Sequence, residues 1–227
     1  RASRTVPFVS KATGLQLAKI AARCMIGKKL VDQGITEEVI PAHFSVKEAV
    51  FPFIKFSGVD TILGPEMKST GEVMGVGRTF AEAFTKSQLA AGIQLPASGK
   101  VLLSVRDNDK DEAVFLARQF VELGLSLFAT RGTAQVIMEA GLPVTVVSKV
   151  IESRPHVVDR IKNGEFGLII NTVMNKRSAM RDSYSIRHAA LQTKTTYYTT
   201  IAGARAACIG MINRKELQVY CLQKLVF

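Results

Sequence analysis

The sequence predicts an α/β protein whose C-terminal part is a parallel sheet with helices on both faces, preceded by a mainly helical tail. Two observations carry this prediction. After residue 100, short apolar runs alternate with amphipathic stretches of helix length, and continuous apolar strands separated by helices pack as parallel strands covered on both sides. Before residue 92 that rhythm is absent, and Gly92, Pro96, Ser98 and Gly99 cluster between the two regimes as a linker does. The 227 residues therefore divide into 1–92 and 93–227.

In the tail, Gly14 to Met25 places Leu15, Leu17, Ile20, Ala21 and Cys24 close to helical period. Ser45 with Glu48, and Thr79 with Glu82, have capping-box spacing, in which hydroxyl and carboxylate satisfy each other's exposed backbone N–H groups. Gly58, Gly64, Gly71, Gly75 and Gly77 predict irregular backbone packed closely against a neighbour. Past the linker, Val101 to Val105 reads as a strand, Asp109 as the N-cap of a helix to Leu123, and Gly124 as its stop. Leu125 to Ala129 is the next strand, Thr133 to Ala140 the next helix, closed by Gly141, and Val144 to Val147 a third strand. Pro155 suits the first turn of a short helix to Asn163, with Gly164 after it. Leu168 to Ile170 is a fourth strand, Asp182 the N-cap of a helix to Leu191, Thr195 to Thr199 a fifth strand, and Ile201 to Ile212 the last helix.

Composition narrows the function. A hydrophobic fraction of 47% with 22% charged residues suits a packed core and excludes a disordered tail. No apolar run approaches the ~18–20 residues of a membrane span. Cys24, Cys208 and Cys221 are odd in number and lack metal-ligand or CxxC spacing, which speaks against a disulfide framework or a zinc site and for a reducing, cytoplasmic setting. Arg rather than Met at position 1 reads as a piece of something longer. The net charge of +11 favours anionic partners. Its cations are scattered as singles and pairs such as Lys176-Arg177 and Arg214-Lys215, with no basic helix or aromatic-interleaved stripe, so a nucleic-acid reader is not expected.

Parallel sheets bind ligands at the carboxyl ends of their strands. There this sequence places Asp107-Asn-Asp-Lys110, Thr130-Arg-Gly-Thr133, Ser148-Lys149 and Asn171-Thr172. Hydroxyls, lysines, a glycine permitting close approach and the start of a helix are the ingredients of a phosphate cradle. Taken singly, each residue is equally a turn former or a helix cap. His43, His156 and His188 have no nucleophile or acid partner in any motif, and no P-loop, GxGxxG, GxSxG or HExxH run is present. No metal site is expected.

Arg1-Ala-Ser-Arg4-Thr-Val-Pro-Phe-Val-Ser-Lys11-Ala-Thr-Gly14 and Gly64-Pro-Glu-Met-Lys-Ser-Thr-Gly-Glu-Val-Met-Gly-Val-Gly-Arg78 resemble the end of the second ATP-grasp unit of the carbamoyl-phosphate synthase large subunit family, in its bacterial glutamine-dependent type. Leu102 to Arg106, Ala129 to Ala134 and Arg154 to Gly164 resemble that family's C-terminal allosteric domain, which has the methylglyoxal-synthase-like fold. The resemblance implies a large subunit that uses ATP with Mg or Mn, and ammonia from a small glutaminase subunit, to make carbamoyl phosphate for arginine and pyrimidine biosynthesis in an oligomeric enzyme. Arg1 and Arg4 match the family's phosphate-side arginines, while the acidic metal ligands would lie upstream. The segment alone is therefore expected to be inactive, with no cofactor of its own.

The resemblance also implies that the nucleotides UMP and IMP bind after the strands, at positions matching Lys110, Thr130, Gly132, Thr133, Lys149 and Asn171, with Ser104 beside them. These are nearly the residues the strand-end argument selects. Where the bacterial pattern often reads Asn-Thr-Thr, this chain has Asn171-Thr172-Val173, one hydroxyl fewer, which bears on nucleotide choice. Glu48, Tyr197 and Thr199 match positions lining the family's ornithine site. Two other readings stand beside this one: a methylglyoxal synthase-type lyase, with Asp107 or Asp109 as base, and a structural oligomerisation domain.

Overall fold

A computed structural model describes residues 5–51, 69, 71–149, 152, 154–172, 177–214 and 217–221, with side chains of 177–182 excepted. Two short helices come first, α1 (Thr5–Thr13) and α2 (Leu17–Met25). Strands β1 (Phe44–Val50) and β2 (Gly71–Gly77) then pair antiparallel, with Glu48 opposite Val73, and α3 (Phe80–Ala90) packs across them.

This strand pair corrects the sequence reading. Ser45 and Glu48 do not cap a helix, because both lie within β1, where cross-strand pairing with Val76 and Val73, 31 and 25 positions away, overrides local capping spacing. The other predicted cap holds. Thr79 Oγ1 accepts from the Glu82 N–H at 3.2 Å, while the Glu82 carboxylate reaches one residue further back than a capping box requires, to the Arg78 N–H at 2.9 Å. Gly75 and Gly77 do pack closely, against α3, but as regular strand. Gly58 and Gly64 lie outside the described residues.

After the Gly92–Gly99 turn region come β3 (Lys100–Ser104), α4 (Lys110–Glu122), β4 (Ser126–Thr130), α5 (Arg131–Glu139), β5 (Thr145–Val147), α6 (Val157–Lys162), β6 (Leu168–Asn171), α7 (Arg177–Gln192), β7 (Thr196–Tyr198) and α8 (Ile201–Ile212). The five strands form one parallel sheet in the order β5-β4-β3-β6-β7. Alternate strand residues feed two separate cores. Val101, Leu103, Leu127, Leu168 and Ile170 meet Leu116, Phe120, Ile137 and Met211 from α4, α5 and α8. On the other face Leu102, Phe128, Val147 and Ile169 meet Ile161 and Ile186 from α6 and α7. Burial of both faces is why the central strands β3, β4 and β6 read as nearly unbroken apolar runs, whereas the edge strands β5 and β7 are only partly covered.

Element ends deviate where a partner outcompetes the expected cap. Asp109 precedes α4, but its carboxylate makes no cap hydrogen bond; it is held by the Arg106 guanidinium at 2.9 and 3.2 Å. Asp182 lies inside α7, which begins five residues earlier. Pro155 precedes α6, whose N-cap is His156: its Nδ1 accepts from the Asp159 N–H, and the Asp159 carboxylate accepts from the His156 N–H. That accounts structurally for one of the three histidines. Gly124, Gly141 and Gly164 stop their helices with positive φ, as predicted.

Candidate functional site at the sheet rim

The connection from β5 to β6 crosses over β4 and β3, so the strand order reverses beside β3. An open α/β sheet leaves a crevice at such a reversal, outside the carboxyl ends of its strands. Ser104 ends β3, Thr130 ends β4 and Asn171 ends β6, with Ser104 directly opposite Asn171. The three are joined. Thr130 Oγ1 donates to Ser104 Oγ at 3.2 Å, and Asn171 Nδ2 donates to the Ser104 carbonyl at 3.3 Å. The Asn171 amide oxygen is buried and accepts no hydrogen bond from the described residues. A buried acceptor without a donor costs about 1–3 kcal/mol, so this one is suited to a hydroxyl or N–H brought by a ligand.

Positive charge and dipoles face the same rim. Helix α5 starts directly after Thr130, so Arg131, Gly132 and Thr133 supply N–H groups that have no carbonyl within the helix. Lys110 Nζ pairs with Asp107 at 2.8 Å and lies 3.7 Å from where a Cβ on Gly132 would stand. Glycine at 132 thus leaves the ammonium next to bare backbone. Thr133 Oγ1 accepts from the Val105 N–H at 3.1 Å, fixing the turn after β3, and Thr172 Oγ1 accepts from the Arg106 N–H at 3.1 Å, fixing it from the β6 side. Lys149 follows the edge strand β5 and is exposed; its backbone N–H donates to Glu152, which also sits 3.9 Å from Arg131. Ser104, Lys110, Thr130, Gly132, Thr133 and Asn171 are therefore gathered by bonds or contacts, and Lys149 stands at the outer end of their rim.

Sequence reading missed Arg106, whose guanidinium locks Asp109. The signal was present as an i,i+3 opposite-charge pair across the turn after β3.

The residues read as an ornithine site are placed differently. Glu48 on β1 accepts from Gln88 Nε2 at 2.9 Å, and the Gln88 amide oxygen accepts from the Tyr198 hydroxyl at 3.0 Å. Burial pushes the Glu48 carboxyl up, against the opposing bonds from Gln88 and the Ala49 N–H. Burial and the negative Glu48 likewise push the Tyr198 phenol up. Tyr197 packs on the opposite face of β7, against the core beneath α6 and α7, and Thr199 is exposed just past β7. It is Tyr198, which sequence reading passed over, that connects to Glu48. Arg1, Arg4 and Val173 lie outside the described residues. Among the described residues, no helix is long and apolar enough to cross a membrane.

Comparison with known proteins accords with this architecture. A family model described as "MGS-like domain" matches residues 112–199, from early in α4 to just after β7. Over 225 residues, 99% of this chain, the sequence is 62% identical to the carbamoyl phosphate synthase large chain of Ralstonia nicotianae, 56% to that of Neisseria meningitidis serogroup A and 60% to that of Pseudomonas aeruginosa. In each case the chain spans 21% of the relative's length. With a parallel sheet of matching type and near-complete coverage of the segment, the chain belongs to the carbamoyl phosphate synthase large-chain family, as a segment that carries the MGS-like domain.

Proposed function

We propose that this chain is the effector-binding segment of a glutamine-dependent carbamoyl phosphate synthase. It takes the nucleotide monophosphates UMP and IMP at the rim of the parallel sheet. It contributes Glu48, Tyr197 and Thr199 to an ornithine site, and through both it regulates ATP-dependent carbamoyl phosphate synthesis. ATP with Mg or Mn, the small glutaminase subunit and the ATP-grasp body belong to the whole enzyme; Arg1 and Arg4 would serve the phosphate side of that catalytic site.

One observation carries the reading: Ser104, Thr130 and Asn171 are bonded together at three neighbouring strand ends, next to the start of α5 and the Lys110 ammonium. A phosphate dianion is matched by the ammonium and by the N–H groups of a helix start. The Asn171 amide oxygen, which accepts no hydrogen bond from the described residues, is matched by a sugar hydroxyl. The lyase alternative needs an aspartate base, but Asp107 is paired with Lys110 and Asp109 with Arg106, which favours fixed structural roles for both.

Calorimetric titration of UMP and IMP into the chain, repeated with Lys110→Ala and Lys149→Ala, tests the proposal. Each lost charge-assisted hydrogen bond is worth about 1.5–3 kcal/mol, so affinity should fall about 10- to 100-fold in each variant. Undiminished affinity in both variants rejects the rim as the phosphate site.

A further inference from the structure

The Glu48–Gln88–Tyr198 chain crosses three elements, β1, α3 and β7, and its middle member is 2% exposed. Its polarity is fixed. An ionised carboxylate accepts and cannot donate, so the Gln88 NH2 must face Glu48, which leaves the Gln88 carbonyl facing Tyr198, the one partner able to donate to it. The order is therefore Tyr198 O–H to Gln88 C=O, then Gln88 N–H to Glu48 carboxylate. Bonds in such a row strengthen one another, and losing the first leaves a buried carbonyl unsatisfied. The far end of the row is anchored in the sheet: Tyr198 pairs with Ile170 in register, and Ile170 is the residue before Asn171 at the rim. A ligand engaging Asn171 thus acts one residue and one ladder position away from Tyr198.

We propose that Gln88 and Tyr198 are positioning residues that carry the state of the β6–β7 edge to the Glu48 carboxylate, and so link the nucleotide rim to the Glu48 site. The link rests on the functional reading above only for what occupies the two ends; the row itself rests on geometry. The remaining charged pair on this strand, Lys47 with Glu72 at 3.1 Å, lies on the other face of β1 and supplies an internal control.

The test is carboxyl-carbon NMR of the chain labelled at glutamate, titrated with acid, for the parent, Tyr198→Phe, Gln88→Met and the double variant. Tyr198→Phe removes one oxygen and keeps the ring, so folding is retained even if Gln88→Met proves damaging. Removing the Tyr198 hydroxyl should raise the Glu48 midpoint by a few tenths of a pH unit and leave Glu72 unmoved. The double variant should match the larger single effect rather than their sum. An unchanged Glu48 midpoint in Tyr198→Phe, or an equal movement of Glu72, overturns the relay. Adding UMP at fixed pH then tests the link: the Glu48 signal should move in the parent and stay still in Tyr198→Phe, with heat of binding preserved. Equal movement in both rejects the path through Tyr198. Absence of binding heat in the parent rejects the nucleotide reading, while the acid titration decides the relay independently.

Discussion

Glu82 shows how one side chain can hold distant parts of a chain together. Its carboxylate accepts from the Arg78 N–H at 2.9 Å, Lys86 Nζ at 2.8 Å, the Gln218 N–H at 3.1 Å and the Tyr220 hydroxyl at 2.9 Å, while Lys86 also lies 4.1 Å over the Tyr220 ring. Burial alone would push this carboxyl up, but the four donors outweigh it and hold it at about 2, against an ordinary 4.5. A depressed carboxyl stabilises the fold above its unfolded value and loses that contribution as pH falls through its folded value. Glu82→Gln cannot titrate and presents an NH2 group to donors. It should cost about 1.5–3 kcal/mol near neutrality. Urea unfolding at about pH 7 and about pH 3 should show the gap between parent and variant narrowing in acid. A gap independent of pH would mean the carboxylate charge is not what pins residues 217–221 to α3.

At the scale of elements, legibility tracks how locally an element is determined. The central strands β3, β4 and β6 could be read because burial on both faces makes each a nearly continuous apolar run, and glycine stops mark the ends of α4, α5 and α6 without reference to the rest of the fold. The β1–β2 pair could not. Phe44 to Val50 carries a lysine, a glutamate and a spurious cap spacing, and its partner Gly71 to Gly77 is weakened by three glycines. What makes them strands is packing against α3, which only the folded chain displays. The rim was legible as residue types at strand ends, whereas the bond joining Thr130 to Ser104 and the Arg106–Asp109 lock depend on side-chain direction. The glycines of β2 give a sharp test. A Cβ on Gly75 would collide with the Ala83 carbonyl oxygen and come within 3.0 Å of its carbon, whereas a Cβ on Gly71 would meet nothing within 4 Å. The α3 backbone cannot yield as a side-chain tip can. Gly75→Ala should therefore cost about 3 kcal/mol or more, and Gly71→Ala should stay within about 0.5 kcal/mol of the parent. Comparable urea midpoints for the two variants would show that β2 and α3 are not in close contact.

For the whole molecule, α3 is the element both halves share. One side of it carries the Gly75 and Gly77 contacts of the strand pair, and another meets α8, where a Cβ on Gly210 would come 2.7 Å from Thr85 Oγ1 and 3.4 Å from Leu95 Cδ1. Enclosed this way, α3 buries Glu82, Thr85, Ser87 and Gln88, and each has a partner: Thr85 and Ser87 donate to carbonyls of their own helix, while Glu82 and Gln88 bond outward to the C-terminal segment and to Glu48 and Tyr198. Among the described residues, the parallel sheet and its helices meet the tail at this helix and at the turn region before β3. Gly210→Val is placed to loosen the crossing without touching either sheet. Overpacking costs about 1–3 kcal/mol, more than the roughly 0.4 kcal/mol of helix propensity regained by replacing glycine. Amide exchange should then quicken in β1 and β2 while β3 and β6 keep the parent's protection, because the sheet retains both of its cores and the strand pair loses the helix that covers it. If instead protection falls equally in both sheets, the chain opens as one unit and α3 is not the seam; if it falls in neither, the contact between Gly210 and Thr85 contributes nothing to the union of the two halves.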